Sequence, residues 1–411
     1  MEMYKVRLLG TSVLVTALVV FSTPTVAQDS TDSLRQQVDT LSQRVEELEG
    51  RSVLTARTPG LKLTFGGYAK ADFIYDLDQD TGDLFVPESI DVDGLDEQRF
   101  TAHARQSRLF FTAQSEGFKA HVEGDFFGVG GNQVFSNSAS FRLRHAYGEF
   151  DAGSGKILAG QYWTNFMPIA YYPSTVDFNG PAGIPFIRQA QLRYTWTPSD
   201  KLTLSASLEN SEFSGRDAAG NFVGETTGSG LQAGLDGTPD FTFAGDYSAD
   251  TWGLRAAVVL RELNAPDGGD SETGYGVNIA GRTDLWEGGS FLGSLSYGDG
   301  IGRYLINGFG QDAFIDAGGN VNTIEAFGLT AQVSHKFTDK LTGALAYGLY
   351  DVSDTFAPDD LEQVQTVHAT MFYTPTDRVT LGAEAIFGER ENANGASRNI
   401  TRLQTSVQFS F

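Results

Sequence analysis

Basic side chains recur on the polar face of the strands that this sequence predicts. Guanidinium groups bind carboxylates through two parallel hydrogen bonds, and charges that line a narrow passage favour ions of opposite sign. The pattern therefore indicates a surface that selects anions. If the apolar residues of each strand face outward, the basic residues that face inward are Arg108, Arg142, Arg144, Arg193, Arg255, Arg282, Arg402, Lys70, Lys119 and His121.

A structural role is the alternative for these arginines. Salt bridges to carboxylates such as Glu123, Asp125 and Glu209 would hold a loop that folds inward. Both roles are compatible with the same residues.

The titratable residues give little support to catalysis. The chain has five histidines and no cysteine, so thiolate catalysis, disulfides and cysteine-ligated metals are excluded. A serine hydrolase needs a nucleophile, a base and an orienting group at one point, and no stretch resembles a motif of that kind. Ser107 and His103 are the sole serine and histidine that lie close together on one strand face. We expect no enzymatic activity and no cofactor.

The elements that position these side chains are strands. From residue 61 onward apolar and polar residues alternate, as in LKLTFGGYAKADFIYD at the start and LQTSVQFSF at the end. About sixteen such segments occur, joined alternately by short turns and long loops, which is the outer-membrane pattern. We predict an all-β fold over residues 53–411, a 16-stranded antiparallel transmembrane β-barrel in which closure pairs every backbone group.

Composition excludes other classes of protein. The net charge of -23 argues against nucleic acid as a partner, because phosphate binding needs a basic surface. Hydrophobic residues make up 40% and aromatic residues 12%, which is not the composition of a disordered chain.

The N-terminal residues 1–27 have the features of a signal peptide. Lys5 and Arg7 precede an apolar run at 8–21, and small residues follow at 25–27. The run is shorter than the roughly 20 residues that span a bilayer as a helix. We predict cleavage after Ala27; an uncleaved anchor is the alternative.

Residues 28–52 carry a short heptad pattern. Its apolar positions recur at intervals of four and three, and they are Leu34, Val38, Leu41, Val45 and Leu48. A helix of this length is marginal alone, so the pattern favours a coiled coil between several chains, whose number it does not fix. The alternative is a single amphipathic helix that lies on the barrel.

The segment 164–187 differs from the other long connections. It is rich in proline and aromatic residues, and Asp177 is its single charge. Irregular backbone at membrane depth is tolerated where it lines a cavity, so we predict a constriction loop inside the barrel. Its candidate pore residues are Tyr171, Asp177, Phe178 and Asn179, with Arg188 just after it. An ordinary exposed outer loop is the alternative.

His145 falls in phase with Phe141, Leu143 and Tyr147 on the outward face of its strand. An imidazole among lipid chains would be unfavourable. We therefore predict that His145 lies in a contact between subunits.

The acidic stretch 76–97 contains a weak metal motif. Asp76, Asp78 and Asp80 have the alternate spacing of a calcium loop, but Gly82 comes one position late and no glutamate follows at the twelfth place. The alternative is a solvated outer loop that shares divalent cations with lipopolysaccharide.

Two stretches resemble a known family. GQYWTNF from Gly160 and DFNGPAGIPFIRQAQLRYTW from Asp177 are similar to the core motif of the DcaP-like trimeric porins of Gram-negative bacteria. The ending at Phe411 also resembles the signal read by the barrel-assembly machinery, which many outer-membrane proteins share. The resemblance implies a homotrimer in the outer membrane, a helical bundle in the periplasm and a third loop folded inward.

The same resemblance implies passage of small anionic solutes such as dicarboxylates. Together with the arginine pattern it favours a passive, anion-preferring channel in contact with outer-membrane lipid and lipopolysaccharide. The rival interpretation is a structural or adhesive barrel whose lumen is blocked.

Overall fold

A computed structural model describes the chain from residue 60 onward, with short gaps. The described residues are 60–128, 137, 139–212, 214–220, 222–223, 237–265, 269–306, 308, 311–353 and 355–411. The predicted signal peptide and coiled coil lie outside the described residues.

The described part of the chain consists mainly of antiparallel β-strands. The strands of the main sheet are β1 (Lys62–Asp76), β2 (Arg99–His103), β3 (Arg108–Ser115), β4 (Phe118–Gly128), β5 (Ser140–Ala152), β6 (Gly155–Trp163), β7 (Arg188–Ser199), β8 (Leu202–Glu209), β11 (Asp240–Ser248), β12 (Trp252–Asn264), β13 (Ser271–Trp286), β14 (Gly289–Asp299), β17 (Glu325–Thr338), β18 (Leu341–Val352), β19 (Leu361–Thr376), β20 (Val379–Asn392) and β21 (Ser397–Ser410). A second, small sheet contains β9 (Gly215–Arg216), β10 (Phe222–Val223), β15 (Ala313–Ile315) and β16 (Val321–Thr323).

Short 3-10 helices occupy three of the described connections, at Pro87–Ser89, Ile169–Tyr171 and Gly302–Tyr304. No helix among the described residues is long and apolar enough to cross a membrane.

The main sheet closes on itself. Its last strand, β21, pairs with β1 from Tyr68↔Ser410 to Asp76↔Arg402. Both β2 and β3 pair with β1, so they are two halves of one interrupted strand. The described chain thus forms a closed 16-strand antiparallel barrel, which confirms the predicted fold class.

Side chains alternate across the barrel wall. In β21, Leu403 and Phe409 are about half exposed outward, whereas Arg402 and Gln404 are buried inside. The same alternation runs along β12, where Leu254 and Leu260 face outward. Large apolar side chains on an outer surface fit lipid chains better than water, so the wall has the character of a membrane barrel.

The two ends of the barrel differ. At one end, here called the turn end, strands join through tight turns in which Gly117, Gly153 and Gly288 adopt positive φ. The chain terminus lies at this end, and Phe411 exchanges backbone hydrogen bonds of 3.1 and 3.2 Å with Gly67. At the opposite, loop end the connections are mostly longer, and two of them fold back into the barrel.

An apolar core fills part of the barrel interior. Phe166, Ile301, Tyr304 and Leu305 come from connections, and they pack against inward residues of the wall such as Val259. This core occupies one side of the lumen, so any passage must follow the other side.

The pairing of β21 with β1, here called the closing seam, gives a testable consequence. Deleting Phe411 removes both backbone hydrogen bonds with Gly67 and the ring contact with Phe65. At roughly 1 kcal/mol per bond, we expect the refolded barrel to lose about 1–3 kcal/mol of unfolding free energy. Denaturant unfolding in detergent micelles measures the loss. Phe411→Ala is the control, because it keeps the backbone bonds and should retain most of the stability; an equal loss in both variants would contradict this account of the seam.

Candidate functional site: a basic passage beside an inward loop

The segment 164–187, here called the inward loop, lies within the barrel. Phe166 and Ile184 are fully buried and Asp177 is 3% exposed. Backbone amides away from water need partners, and hydrogen bonds inside the loop, such as those of the short helix Ile169–Tyr171, supply some of them. Other partners come from the surrounding wall.

The loop begins against β8 and β12. Glu209 accepts a 2.8 Å hydrogen bond from the backbone N–H of Asn165, and Arg255 donates to the Asn165 carbonyl. The backbone N–H of Thr164 donates to the carbonyl of Ile187, which closes the loop at its base.

The loop then crosses the lumen to the opposite wall. The N–H of Ser174 donates to Gln332 of β17 at 2.8 Å, and the N–H of Ala182 donates to Thr366 of β19 at 3.0 Å. Glu384 of β20 accepts hydrogen bonds from the backbone of the loop at Val176 and Asp177. The loop is thus fixed to both sides of the barrel.

The carboxylate of Asp177 organises the tip of the loop. It accepts hydrogen bonds from the backbone N–H groups of Phe85, Asn179 and Gly180 at 3.0, 2.8 and 3.2 Å. The Asn179 side chain returns a 2.8 Å hydrogen bond to the Phe85 carbonyl. The single charge of the loop therefore joins it to the connection after β1.

A second connection, 300–324, supports the inward loop from the loop end. The N–H of Gly183 donates to the carbonyl of Ile306, and the N–H of Phe186 donates to the carbonyl of Tyr304 at 2.9 Å. Pro185 and Leu305 form an antiparallel bridge between the two segments. The two connections together close one side of the lumen.

A buried ion network holds this second connection. Arg261 of β12 is within 3.2 Å of Asp240 and 3.1 Å of Asp312, and all three side chains are fully buried. The hydroxyl of Tyr304 donates a 2.6 Å hydrogen bond to Asp240. Burial raises the pKa of Asp312, and the neighbouring Arg261 opposes that rise. Such pairing is needed because an isolated buried charge is very costly.

A cavity of about 850 Å³ remains between the inward loop and the strands β1 and β3–β6. Thr374 and Thr380, beside the β19–β20 turn, also line it, so it extends toward the turn end. Its polar and aromatic wall residues include Tyr68, Lys70, Arg108, His121, Glu123, Arg144, His145, Tyr147, Tyr162 and Trp163.

The arginines of this wall pair with two acidic residues. Arg142 donates to both carboxylate oxygens of Asp125, at 3.0 and 2.8 Å. Arg144 bridges Glu123 and Asp125 at 2.7 and 3.1 Å, and Arg108 lies 3.6 Å from Glu123. The arginines are therefore part of a wall network, and their guanidinium groups also border the cavity or the loop tip.

Arg188 differs from its neighbours. Its guanidinium group lies 5.0 Å from the ring centre of Trp163 and 6.0 Å from that of Phe186. The Nη1 atom is buried without a hydrogen-bond partner, and among the described residues no carboxylate lies within 4.0 Å. Arg193 similarly donates to the Trp163 carbonyl at 2.6 Å and has no described carboxylate partner. Neither of these two cations forms a salt bridge within the described residues.

The other residues selected from the sequence are distributed around the lumen. Arg255 pairs with Asp246, and Arg282 is exposed in phase with the inward residues of β13. Lys119 lies 5.3 Å from the ring centre of Tyr147. Their separate locations leave the basic wall of β3–β7 as the main cluster.

Three more of these residues have specific partners. The Oγ1 atom of Thr112 and the Nδ1 atom of His121 are 2.8 Å apart. Lys70 donates to the Val176 carbonyl at 2.8 Å, which adds another link to the inward loop. Tyr171, in the short helix of that loop, is 4% exposed.

The prediction that His145 faces outward is wrong. A β-bulge leaves Arg144 without a cross-strand partner, because Glu123 pairs with His145 and Gly124 with Leu143. One extra residue reverses the alternation, so Arg144 and His145 both point inward. Tyr147, also placed outward by the sequence pattern, lines the cavity as well.

The aspartates of the weak calcium motif have other partners. Arg402 donates to both carboxylate oxygens of Asp76 at 2.7 and 2.9 Å. Asp80 pairs with Arg99, and the Asp78 carbonyl accepts from Arg398. Within the described ranges no group of three or more acidic or histidine side chains is arranged to hold a metal ion.

Several aromatic residues of the site were missed from the sequence. Tyr162 and Trp163 end β6 next to the inward loop, and Phe127 packs against Phe178 with ring centres 5.5 Å apart. The available signal was their position, since they stand at the loop ends of β4 and β6, and the neighbouring strands β3, β5 and β7 carry the lumen arginines.

The family model of the DcaP outer membrane protein matches residues 61–411. The chain belongs to the DcaP outer membrane protein family. A comparison with curated protein sequences finds no match.

Solved structures share the fold. The outer membrane channel DcaP of Acinetobacter baumannii superposes with a TM-score of 0.74 and 21% sequence identity, over 87% of this chain and 99% of that one. The trimer form of OmpT of Vibrio cholerae gives a TM-score of 0.55 and 12% identity over 86% and 100% of the two chains. An anion-selective porin from Comamonas acidovorans superposes with a TM-score of 0.55 and 13% identity, over 85% of this chain and 100% of that one. The chain therefore has the fold of outer-membrane channels.

The path of the inward loop depends on one glycine. Gly183 has φ +76°, and a Cβ there would lie 1.9 Å from the Leu349 carbonyl oxygen, whereas Gly395 has φ +79° and open space around it. Gly183→Ala should therefore lose about 1–3 kcal/mol more unfolding free energy than Gly395→Ala, the typical cost of forcing atoms into a packed site.

Urea unfolding of the two variants in detergent measures this difference. Because both glycines have the same backbone strain, the comparison isolates the close contact. Equal losses would show that the loop does not pass β18 as described.

Proposed function

We propose that this protein is a passive outer-membrane porin that prefers small anionic solutes. The observation that carries the proposal is the excess of cations beside the inward loop. Three guanidinium groups, those of Arg108, Arg142 and Arg144, share the two carboxylates Glu123 and Asp125. Arg188 adds a fourth cation that forms no salt bridge within the described residues. A narrow passage with net positive charge attracts anions and repels cations.

Dicarboxylates are the proposed solutes. The cavity of about 850 Å³ is larger than such a molecule, and its wall offers two guanidinium groups, those of Arg108 and Arg144, as partners for two carboxylates. Tyr162 and Trp163 also line the cavity, with the Trp163 ring centre 5.8 Å from the Arg144 guanidinium group, and they would contact the apolar part of a solute. The family resemblance points to the same solute class.

The proposed assembly is a homotrimer in the outer membrane of a Gram-negative bacterium. The exposed apolar wall supports a membrane location, and the trimer form of OmpT shows that a barrel of this fold forms trimers. The predicted N-terminal helix would lie in the periplasm. Contacts with lipopolysaccharide and with the barrel-assembly machinery, through Phe411, belong to the same proposal.

Arg188 provides the sharpest test of the anion preference. Arg188→Gln removes a charge that has no described carboxylate partner. The substitution therefore leaves no described carboxylate without its salt bridge. We expect the ratio of chloride to potassium permeability to fall by about two-fold or more, as expected when one fixed charge leaves a narrow pore. Reversal potentials in planar bilayers under a potassium chloride gradient give this ratio.

Arg378→Gln is the matched control, since Arg378 is exposed in the β19–β20 turn. It carries the same change of charge outside the cavity and should leave the ratio unchanged. A cation-selective parent protein would overturn the proposed function, and a parent that passes no current would favour the structural barrel with a blocked lumen. Block of the current by a four-carbon dicarboxylate, and not by a neutral molecule of the same size, would support the solute class.

A further inference from the structure

The lumen contains a second cavity, of about 600 Å³, toward the loop end. Its lining comes largely from the connection after β1, including Thr81, Asp83 and Leu84, and from Arg105 and Phe127. The cavity beside the inward loop is here called the inner chamber and the second cavity the outer chamber. The two share no lining residue.

An aromatic pair lies between the chambers. Phe127 of β4 lines the outer chamber and Phe178 of the inward loop lines the inner one. Their ring centres are 5.5 Å apart, which is the distance of rings in contact. The two ring faces themselves offer a hydrated ion no polar partner.

Three arginines surround the pair. Arg142 lies 5.5 Å from the ring centre of Phe127 and 5.9 Å from that of Phe178. Arg144 lies 5.1 Å from the Phe178 ring, and Arg105 lies 5.4 Å from the Phe127 ring. Cation–π attraction favours this closed arrangement.

The backbone beside Phe178 is held on both sides. The Asp177 carboxylate accepts N–H groups from Phe85, Asn179 and Gly180, and Glu384 accepts from the backbone of Asp177. A movement of the whole loop would break all of these bonds. Rotation of the Phe178 ring would break none of them.

We propose that Phe127 and Phe178 form a side-chain gate that sets the size limit of the pore. The gate opens by rotation of the Phe178 ring on a fixed backbone. A carboxylate that binds Arg142 competes with the rings for the guanidinium group, so anions favour the open arrangement and neutral solutes do not. The inference rests on the proposed function only in assuming that solutes cross the barrel.

Single-channel recordings in planar bilayers test the gate. Phe178→Ala and Phe127→Ala should each raise the conductance by about two-fold or more, because removing one ring opens the contact. The two effects should not add in the double variant, since either change removes the same barrier. Phe178→Leu keeps an apolar side chain of similar length and should stay close to the parent.

Phe314→Ala serves as the control. Phe314 of β15 packs against Phe356 with ring centres 5.8 Å apart and lines neither chamber. It should leave the conductance unchanged, and heat-modifiable migration on gels verifies that every variant is folded. Liposome swelling with neutral sugars of increasing size should show entry of larger sugars through Phe178→Ala.

Folded Phe127→Ala and Phe178→Ala proteins with the parent's conductance and size limit would overturn the gate. The reversal potential of the same membranes reports separately on ion preference. A raised conductance with cation selectivity would therefore support the gate while removing the proposed anion preference.

Discussion

Backbone amides that leave the barrel wall and enter the lumen have no sheet partner, so they need partners elsewhere, and side chains of the wall supply several of them. In this protein those partners are Glu209, Gln332, Thr366 and Glu384, and together they fix the inward loop to both sides of the barrel. Because the loop is fixed, the shape of the lumen is fixed with it. The passage, the basic wall and the aromatic contact all depend on this one arrangement.

Charge is divided between the two sides of the lumen. On the closed side, Arg261 is paired with Asp240 and Asp312 in a fully buried network that holds the second inward connection. On the open side the arginines outnumber the carboxylates, and Arg188 has aromatic neighbours instead of an acidic one. Paired charges therefore support the architecture, and Arg188 is a cation that no described salt bridge neutralises.

Much of the fold could be predicted from the sequence because strand periodicity is a local property. Alternating residues identified the membrane strands, and the same phase placed Arg142 and Arg144 inward. The alternation predicts the wrong face of a strand where a β-bulge adds one residue. At Arg144 the register shifts against Glu123 and Gly124, and His145 turns from the predicted outer face into the lumen. No local pattern in the sequence predicts this bulge, because it depends on the pairing of two strands.

The sequence by itself determined the closed barrel, the arginines on the inward face of its strands and one of the segments that lie inside it, because composition and strand periodicity are local properties of the chain. Only the tertiary structure decided which arginines are neutralised and which are not. Val176 contacts Glu384 across 208 residues of sequence. Phe127 of β4 contacts Phe178 of the inward loop. Such contacts follow from closure of the barrel around the loop, which brings together residues that have no fixed spacing in the sequence.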